Sequence, residues 1–467
     1  MTPATDAAAP SDAMDRSALD ERWQRGFRWV EEQLGGTITR FESQARWRPA
    51  WFLELRRASD GATLPLYWRG ARGEFHRSTA PLEREGRILE VLERNGVPVP
   101  HPYGVCEDPP GLLLAQLPGR FNLATEPDPA LRARTLDDYL HVLVRMHAID
   151  AQEFAREGIR MPADPVESCL GELPSFVREY RRAKNQPDPM IEFAVDWCLR
   201  NVPRDRAHVG FVHCDCGQFL FDEGRVTGVI DFELAYLGDS AAADLAGIRS
   251  RQLSEPLGDM RKIVARYEEI SGAAVDRRAI DYHTVRFGLT NPLGLAPVLG
   301  RPVPEMNYAQ YLAWYVVYSR CPLEVMAHIL GVALDPPDVP EPEPTSSHTA
   351  TTFLANALER LRDGRAGEER YEMDRLYRVA QYLERSDRFR AALDADDLAE
   401  AAALLGRRPR DRAEADVALE ELVARNAATG ERDAELLRFF HRRLCREEAL
   451  LQPTLRELEG ARMEPID

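Results

Sequence analysis

The most informative stretch of the sequence is residues 211–249, which read FVHCDCGQFLFDEGRVTGVIDFELAYLGDSAAADLAGIR. The pattern predicts a strand, a polar loop, a hairpin and a final strand that ends in Asp-Phe-Glu. Such a hairpin would bring Asp215, Gln218 and Asp231 to one edge of a cleft. Phosphoryl transfer needs little more than these groups. One carboxylate accepts the proton of the attacking hydroxyl, and two oxygen ligands hold magnesium on the phosphates.

The sequence before this stretch predicts an opening helix and a small antiparallel sheet that carries one further helix. Apolar residues recur at helical spacing from Leu19 to Leu34, and Gly35 and Gly36 then supply a C-terminal stop. Short β-type runs, two of them separated by a Ser-Asp-Gly turn, follow this helix. The predicted strands are 37–41, 51–55, 64–68 and 111–117, and the predicted helix before the last strand is 81–95.

Beyond residue 119 the pattern changes to long helices, so the second region is predicted to be mostly α-helical. Residues 335–347 read DPPDVPEPEPTSS, which is typical of an extended linker, and a helical bundle is predicted after residue 351. Strands are predicted at 210–213, 219–221 and 226–232, and helices at 131–148, 175–184, 190–201, 308–319 and 323–330. The predicted domains are a leader (1–18), an N-terminal nucleotide-binding lobe (19–119), a catalytic lobe (120–334), a linker (335–350) and a helical domain (351–467).

The composition narrows the classes of partner. The formal net charge is −17, which opposes phosphate backbones, so no nucleic-acid partner is expected. The seven cysteines lack the spacing of a metal site or a disulfide framework, which favours reduced thiols. No apolar stretch approaches the length of a membrane span, and the leader resembles neither a secretory signal nor a transit peptide. We therefore expect a cytoplasmic protein with no membrane partner.

Several residues of the 211–249 stretch resemble the aminoglycoside phosphotransferase and choline kinase-like superfamily. The matching residues are His213, Asp215, Asp231, Gly238, Asp239, Asp244, Leu245 and Ala246, in the order and context of that family. The resemblance covers roughly residues 20–335. It implies an α+β fold, bilobal and protein-kinase-like, with a small antiparallel-sheet N-lobe and a mostly helical C-lobe. An all-α C-terminal domain would follow this fold.

The resemblance also implies roles for these residues. Asp215 would be the catalytic base that orients the substrate hydroxyl, and Asp231 would be the principal magnesium ligand. His213 would brace the loop, and Asp244 would hold the backbone amides of the loop. Gln218 falls at the family's Asn position if the loop is two residues shorter, and its amide oxygen is also a hard ligand. The alternative is an amide that caps the backbone.

Further ligand and nucleotide contacts are implied at other positions. Glu233 and Asp239 are candidate ligands or supports of the metal site, with ordinary surface carboxylates as the alternative. The lysine that pairs with a helix glutamate and with phosphate in kinase-like folds is replaced by Arg69, and Glu85 matches the glutamate.

The remaining nucleotide contacts have no matching motif. No Gly-rich phosphate loop is present, so side chains such as Arg46 would hold the phosphates. The run 113–117 resembles the hinge whose backbone binds adenine, which points to Ala115 and Leu117.

The function implied is ATP-dependent, Mg²⁺-dependent transfer of the γ-phosphoryl group to a hydroxyl of a small molecule. The acceptor would be aminoglycoside-like or hydroxyacyl-CoA-like, and IDFELAYLGD resembles phosphotransferase domains associated with acyl-CoA dehydrogenase modules. The alternative is a catalytically weak nucleotide-binding pseudo-enzyme whose helical C-terminal domain mediates protein interaction. With either function, residues 351–467 are candidates to bind a protein partner or a second copy of the chain.

Overall fold

The computed structural model describes residues 16–44, 48–71, 80–339, 341, 343 and 345–466. The chain divides into two compact units. The first unit comprises Met1–Phe121, Arg156–Ile159 and Gln218–Glu233, and the second comprises Asn122–Ala155, Arg160–Gly217 and Leu234–Asp467. The hairpin of the 211–249 stretch thus belongs to the first unit, although its sequence neighbours belong to the second.

The strands and helices of the described residues follow in chain order. The strands are β1 (Gly36–Ser43), β2 (Ala50–Arg57), β3 (Thr63–Gly70), β4 (Pro102–Glu107), β5 (Pro110–Ala115), β6 (Gly210–Val212), β7 (Phe219–Asp222), β8 (Arg225–Val229) and β9 (Tyr236–Gly238). The helices are α1 (Glu21–Leu34), α2 (Ala80–Arg94), α3 (Pro129–His147), α4 (Ala151–Arg156), α5 (Pro165–Leu170), α6 (Leu173–Ala183), α7 (Pro189–Arg200), α8 (Ser240–Arg251), α9 (Met260–Ser271), α10 (Arg277–Gly288), α11 (Thr290–Leu299), α12 (Tyr308–Leu330), α13 (His348–Asp363), α14 (Gly367–Leu405), α15 (Arg412–Asn426) and α16 (Asp433–Leu451).

An antiparallel sheet with the strand order β1-β2-β3-β5-β4 forms the centre of the first unit. The apolar face of α1 packs on this sheet, where Phe27 meets Trp51 edge to face at 5.4 Å. Gly111 on β5 is needed for this packing, since a Cβ atom there would lie 2.3 Å from the Trp68 ring. The sequence did not predict β4, because the segment PYGVCE contains proline and glycine and lacks alternation.

Backbone and side-chain hydrogen bonds attach the β7–β8 hairpin to the rest of the first unit. The Val229 amide donates to the Pro98 carbonyl at 2.8 Å, and Thr227 Oγ1 donates to the Pro118 carbonyl at 2.6 Å. The hairpin was predicted, but the predicted strand 226–232 was too long. Strand β8 ends at Val229 because Asp231 adopts a left-handed backbone conformation, with φ of 69°.

One hydrophobic core joins helices from distant parts of the second unit. It includes Trp197 of α7, Val317 of α12, Leu419 of α15 and Phe440 of α16. The helices after the proline-rich segment therefore share apolar packing with α7 and α12. The domain boundaries given above stay predictions.

Helix α12 is continuous where the sequence predicted two helices. Pro322 lies inside it, although proline removes one helical hydrogen bond. The Pro322 ring packs against the backbone of Gly288 on α10, where an added Cβ atom would lie 2.2 Å from the ring. The proline interrupts the helical pattern of the sequence, but α12 continues through it in the structure.

The predicted fold class is confirmed. The fold is α+β, with a small antiparallel sheet, a mostly helical remainder and a helical region after residue 347. Within the described residues, no helix has the length and apolar content needed to cross a membrane.

Candidate active site

Asp231 lies just after β8 and is the centre of a charged cluster in the first unit. Its Oδ1 accepts a hydrogen bond from Nη2 of Arg69 at 2.5 Å, and its Oδ2 accepts one from the side-chain amide of Gln218 at 3.1 Å. The Ile230 amide also donates to the Gln218 carbonyl at 3.1 Å. The hairpin backbone thus brings Gln218 and Asp231 together, as the sequence predicted for these two residues.

Arg69 lies near the end of β3 and is 5% exposed. Its Nε donates to Glu85 Oε2 at 3.1 Å, so the predicted pairing with the glutamate of α2 is present. Glu85 Oε1 in turn accepts a hydrogen bond from the Phe232 amide at 3.2 Å. Burial by itself lowers the pKa of Arg69, but the carboxylates of Asp231 and Glu85 outweigh burial and raise the pKa above its ordinary value.

Glu233 joins the same cluster through a second arginine that the sequence analysis missed. Glu233 Oε2 accepts from Arg69 Nη2 at 3.2 Å and from Arg48 Nη2 at 2.7 Å. Arg48 is only 2% exposed. An arginine is rarely buried to this extent unless it is paired with a carboxylate, as Arg48 is with Glu233. It stands alone between Trp47 and Pro49 with no motif around it, so only the folded structure identifies it. Arg46, the predicted phosphate contact, lies outside the described residues.

The side chains around Asp231 fit a magnesium ion by their chemistry. Asp231 and Glu233 offer carboxylate oxygens, and both accept hydrogen bonds from the same nitrogen of Arg69. Gln218 presents its NH₂ group to Asp231 and carries its amide oxygen on the same terminal carbon, so rotation of the amide by half a turn exchanges the two. Hard oxygen donors of this kind are the ligands that Mg²⁺ prefers. Any cation at Asp231 would share this carboxylate with Arg69.

The two residues of the predicted hinge lie at the end of β5. The Ala115 amide donates to the His101 carbonyl at 2.8 Å, so this donor is used within the sheet region. Leu117 packs against the backbone of Gly228, where a Cβ atom would lie 2.1 Å from its Cδ1. The contact of this segment with adenine stays a prediction.

Asp215 lies in the second unit, on the loop after β6, and Asp244 of α8 holds that loop. Asp244 Oδ2 accepts from the His213 amide at 3.0 Å, and its Oδ1 accepts from the Cys214 amide at 2.8 Å. These bonds confirm the predicted contact between Asp244 and the backbone amides of the loop. Carboxylates that accept two backbone amides fix a loop strongly, because each bond involves a full charge.

Three further side chains lie at or against this loop. His213 is 0% exposed, and its bracing role stays a prediction. His147 of α3 contacts Asp244 Oδ2 through Nε2 at 2.9 Å and Tyr267 through Nδ1 at 2.7 Å. The hydroxyl of Tyr139, also on α3, accepts from the Gly217 amide at 2.7 Å. Helices α3 and α8 therefore hold the loop at both ends.

The carboxylate of Asp215 has a partner that no motif predicted. Arg251, the last residue of α8, donates from Nη2 to Asp215 Oδ1. Its Nη1 donates to Glu255 Oε2 at 2.9 Å, and its Nε donates to the Cys216 carbonyl at 3.2 Å. The matching residues end at Ala246, five positions before Arg251, so no motif pointed to Arg251.

Asp239 belongs to a separate ion-pair network in the second unit. Its Oδ2 accepts from Arg206 Nε at 3.0 Å and lies 3.1 Å from Nε2 of His283. Burial raises the pKa of Asp239, but the hydrogen bond with His283 and the charge of Arg206 outweigh burial and lower the pKa to about 2. The structure therefore ties Asp239 to a structural charge network.

A family model described as a phosphotransferase enzyme family matches residues 37–279, just over half of the chain. A stretch of 202 residues is 28% identical to acyl-CoA dehydrogenase family member 10 of Mus musculus, covering 41% of this chain and 17% of that protein. A stretch of 172 residues is 26% identical to acyl-CoA dehydrogenase family member 11 of Homo sapiens, covering 34% of this chain and 21% of that protein. The chain thus matches only about a fifth of the length of these curated relatives.

Among solved structures, a weak likeness is found to an aminoglycoside phosphotransferase from Streptomyces rimosus in complex with ADP and streptomycin. The identity is 18% and the TM-score is 0.41. The match covers 58% of this chain and 99% of that chain.

Proposed function

Because the chain belongs to the phosphotransferase enzyme family, we propose that it is a kinase that transfers the γ-phosphoryl group of ATP to a hydroxyl of a small molecule. In this reaction a bond forms between the acceptor oxygen and the γ-phosphorus, and the bond from the γ-phosphorus to the β,γ-bridging oxygen breaks. ADP is the leaving group, and the hydroxyl proton passes to a carboxylate of the protein.

Asp215 is the proposed acceptor of that proton. Its loop is held by Asp244 through two backbone amides, at 3.0 and 2.8 Å, and by Tyr139 through the Gly217 amide. A base on a loop fixed in this way loses little conformational freedom when the acceptor hydroxyl arrives, which is the main contribution that a protein can make to phosphoryl transfer. His213 supports the loop from its buried position and does not take part in the proton transfer.

Asp231 is the proposed principal ligand for magnesium, with Gln218 and Glu233 as further oxygen donors. The observation that carries the proposal is the contact of Asp231 with both Arg69 and Gln218. When bound, magnesium would supply positive charge that neutralises the charge developing on the transferred phosphoryl group. Arg69, Arg48 and Arg46 are the proposed cationic side chains for the phosphates, with Glu85 keeping Arg69 in place.

The acceptor is proposed to be a hydroxyacyl-CoA-like thioester, with an aminoglycoside-like acceptor as the second candidate. The matched segments of proteins named as acyl-CoA dehydrogenase family members support the first choice. The acidic net charge of −17 supports the second, since it attracts a polycation. Proton transfer to Asp215 and phosphate neutralisation would be the same with either acceptor.

Calorimetric titration with ATP, with and without magnesium, tests the nucleotide part of the proposal. We expect binding that requires magnesium, followed by ADP release when a hydroxyacyl-CoA thioester or an aminoglycoside is added. Absence of nucleotide binding under both conditions would contradict the proposal and favour a non-catalytic module. Binding without magnesium dependence would contradict the role of Asp231.

A further inference from the structure

Arg251 and Asp244 lie on the same face of α8, because seven residues make two helical turns within about 20°. Both side chains therefore reach the loop that carries Asp215. Asp244 binds the amides of His213 and Cys214, and Arg251 binds the Cys216 carbonyl and the Asp215 carboxylate. The helix thus contacts every loop residue from 213 to 216, either through its backbone or through its side chain.

Two glycines allow this close approach. Gly247 of α8 lies against the Cys214 carbonyl, where an added Cβ atom would be 2.3 Å from the oxygen. Gly217 has φ of 93°, and a Cβ atom there would lie 2.9 Å from Cδ of Arg251. Any other residue at 217 would be strained and would crowd the arginine. The glycine at 217 therefore leaves the space that the Arg251 side chain occupies beside the loop.

Arg251 is held in one orientation by its partners. Its side chain is 13% exposed, and its three nitrogens donate to Asp215, Cys216 and Glu255. Burial lowers the pKa of Arg251, but the carboxylates of Asp215 and Glu255 outweigh burial and raise the pKa, so the guanidinium stays charged. A planar guanidinium with three anchored nitrogens orients a carboxylate more narrowly than the point charge of a lysine can.

We propose that Arg251 is a positioning residue of the transfer reaction, which fixes the carboxylate of Asp215 in the orientation that accepts the proton of the substrate hydroxyl. The proposal rests on the function proposed above. Arg251 acts through the Asp215 carboxylate and the Cys216 carbonyl, and no proton passes between Arg251 and the substrate. Its removal should slow the chemical step and leave nucleotide affinity almost unchanged, because the proposed nucleotide contacts belong to the first unit.

The test is a double-mutant cycle of Arg251→Gln and Asp215→Asn, read as ADP release from Mg·ATP with a hydroxyacyl-CoA thioester as acceptor. We expect Arg251→Gln to lower kcat by about 10- to 100-fold with the KM for ATP within about twofold, as misplacement of a catalytic group does. In the Asp215→Asn background the same change should cost less than about twofold, because the carboxylate that it positions is gone. Arg251→Lys should recover part of the loss.

Arg249→Gln is the matched control, since Arg249 lies two residues earlier on α8 and pairs with Asp281 at 2.6 Å. If Arg249→Gln lowers kcat, it should do so by the same factor in the unmodified protein and in Asp215→Asn. An equal loss from Arg251→Gln with and without Asp215 would overturn the proposal and leave the kinase assignment standing. An Asp215→Asn enzyme as fast as the unmodified protein would overturn the kinase mechanism itself, and the proposal with it.

Amide hydrogen exchange of residues 210–218 supplies a measurement that needs no acceptor. We expect faster exchange in Arg251→Gln than in Arg249→Gln, since the first variant loses the bond to the Cys216 carbonyl. Unchanged exchange in Arg251→Gln would overturn the proposal whatever the acceptor is.

Discussion

Asp231 in the first unit and Asp215 in the second each form an ion pair with an arginine, but the two arginines lie at different distances from their aspartates along the chain. Arg69 is 162 residues before Asp231, whereas Arg251 is 36 residues after Asp215. The first cluster also draws in Arg48 and Glu85, which are equally remote in sequence. The second is built largely from residues 213–255, on one loop and the helix that follows it.

This difference has an energetic consequence. Around Asp231, the ion pairs given for the described residues join two arginines to three carboxylates, those of Asp231, Glu233 and Glu85, which is one more negative than positive charge. That excess favours a further cation. Around Asp215, Asp244 accepts a hydrogen bond from a backbone amide of the loop, and Arg251 donates one to a backbone carbonyl of the loop. These bonds fix the shape of the loop. We therefore expect the first cluster to govern metal and nucleotide affinity and the second to govern the rate of transfer.

The largest expected effect is on turnover, from Asp215→Asn. The amide keeps the shape of the side chain but cannot accept the hydroxyl proton, so kcat should fall by roughly 10²-fold or more. Steady-state ADP release with Mg·ATP and acceptor measures this loss. Asp205→Asn, an exposed carboxylate in the same unit, is the control and should keep full turnover. A fall in nucleotide affinity with unchanged kcat would reverse the assignment of the two clusters.

Asp231→Asn should weaken magnesium-dependent ATP binding on the order of 100-fold, since it removes the charged ligand. Asparagine tolerates the left-handed backbone at this position, where φ is 69°, so the hairpin should keep its shape. Calorimetric titration measures the change. Asp222→Asn, on the exposed end of β7, changes a carboxylate of the same hairpin and should bind like the unmodified protein. Equal affinity in both variants would exclude Asp231 as the main ligand.

Arg69→Lys should lower the free energy of unfolding by about 2–3 kcal/mol, because a lysine cannot serve Glu85, Asp231 and Glu233 together in a buried cluster. Urea unfolding followed by tryptophan fluorescence is the measurement. Arg56→Lys, on the exposed side of β2, should change the stability by less than about 0.5 kcal/mol. Similar stability in the two variants would show that the contacts of Arg69 add nothing that a single charge cannot supply.

The smallest expected effect appears in acid and involves Asp239. Its pKa of about 2 in the folded protein lies below the ordinary value of 3.8, so its ionised form stabilises the fold above about pH 4. This contribution, at most about 2 kcal/mol, is lost as the pH falls from about 4 to 2. Asp239→Asn should lack this part of the pH dependence in urea unfolding, and exposed Asp276→Asn should retain it. Parallel curves for unmodified protein and Asp239→Asn would contradict the prediction.

Whether a contact in either region could be predicted from the sequence depends on how close its residues lie along the chain. The β7–β8 hairpin, the contact of Asp244 with its loop and the pairing of Gln218 with Asp231 were predictable, because each lies within a short ordered motif. The pairing of Arg69 with Glu85 was predictable only through the family resemblance.

Other features had no local signal. Arg48 and Arg251 act through contacts that depend on how distant or subsequent elements pack, and no residue type near them indicates this. In two places a local sequence pattern was present but misleading. The apolar pattern of β8 continues past Val229, but the left-handed backbone at Asp231 ends the strand. Pro322 suggests a break in α12, but the helix continues because the proline ring packs on Gly288.

The kinase reaction, with Asp215 as base and Asp231 as magnesium ligand, is best tested by transfer of labelled γ-phosphate from ATP to an added hydroxyacyl-CoA thioester or aminoglycoside. We expect a labelled acceptor in the presence of magnesium, formed by the unmodified protein and by Asp222→Asn, and lost in Asp215→Asn and Asp231→Asn. Equal labelling by the unmodified protein and Asp215→Asn, or magnesium-dependent ATP binding with no labelled acceptor of either class, would contradict it.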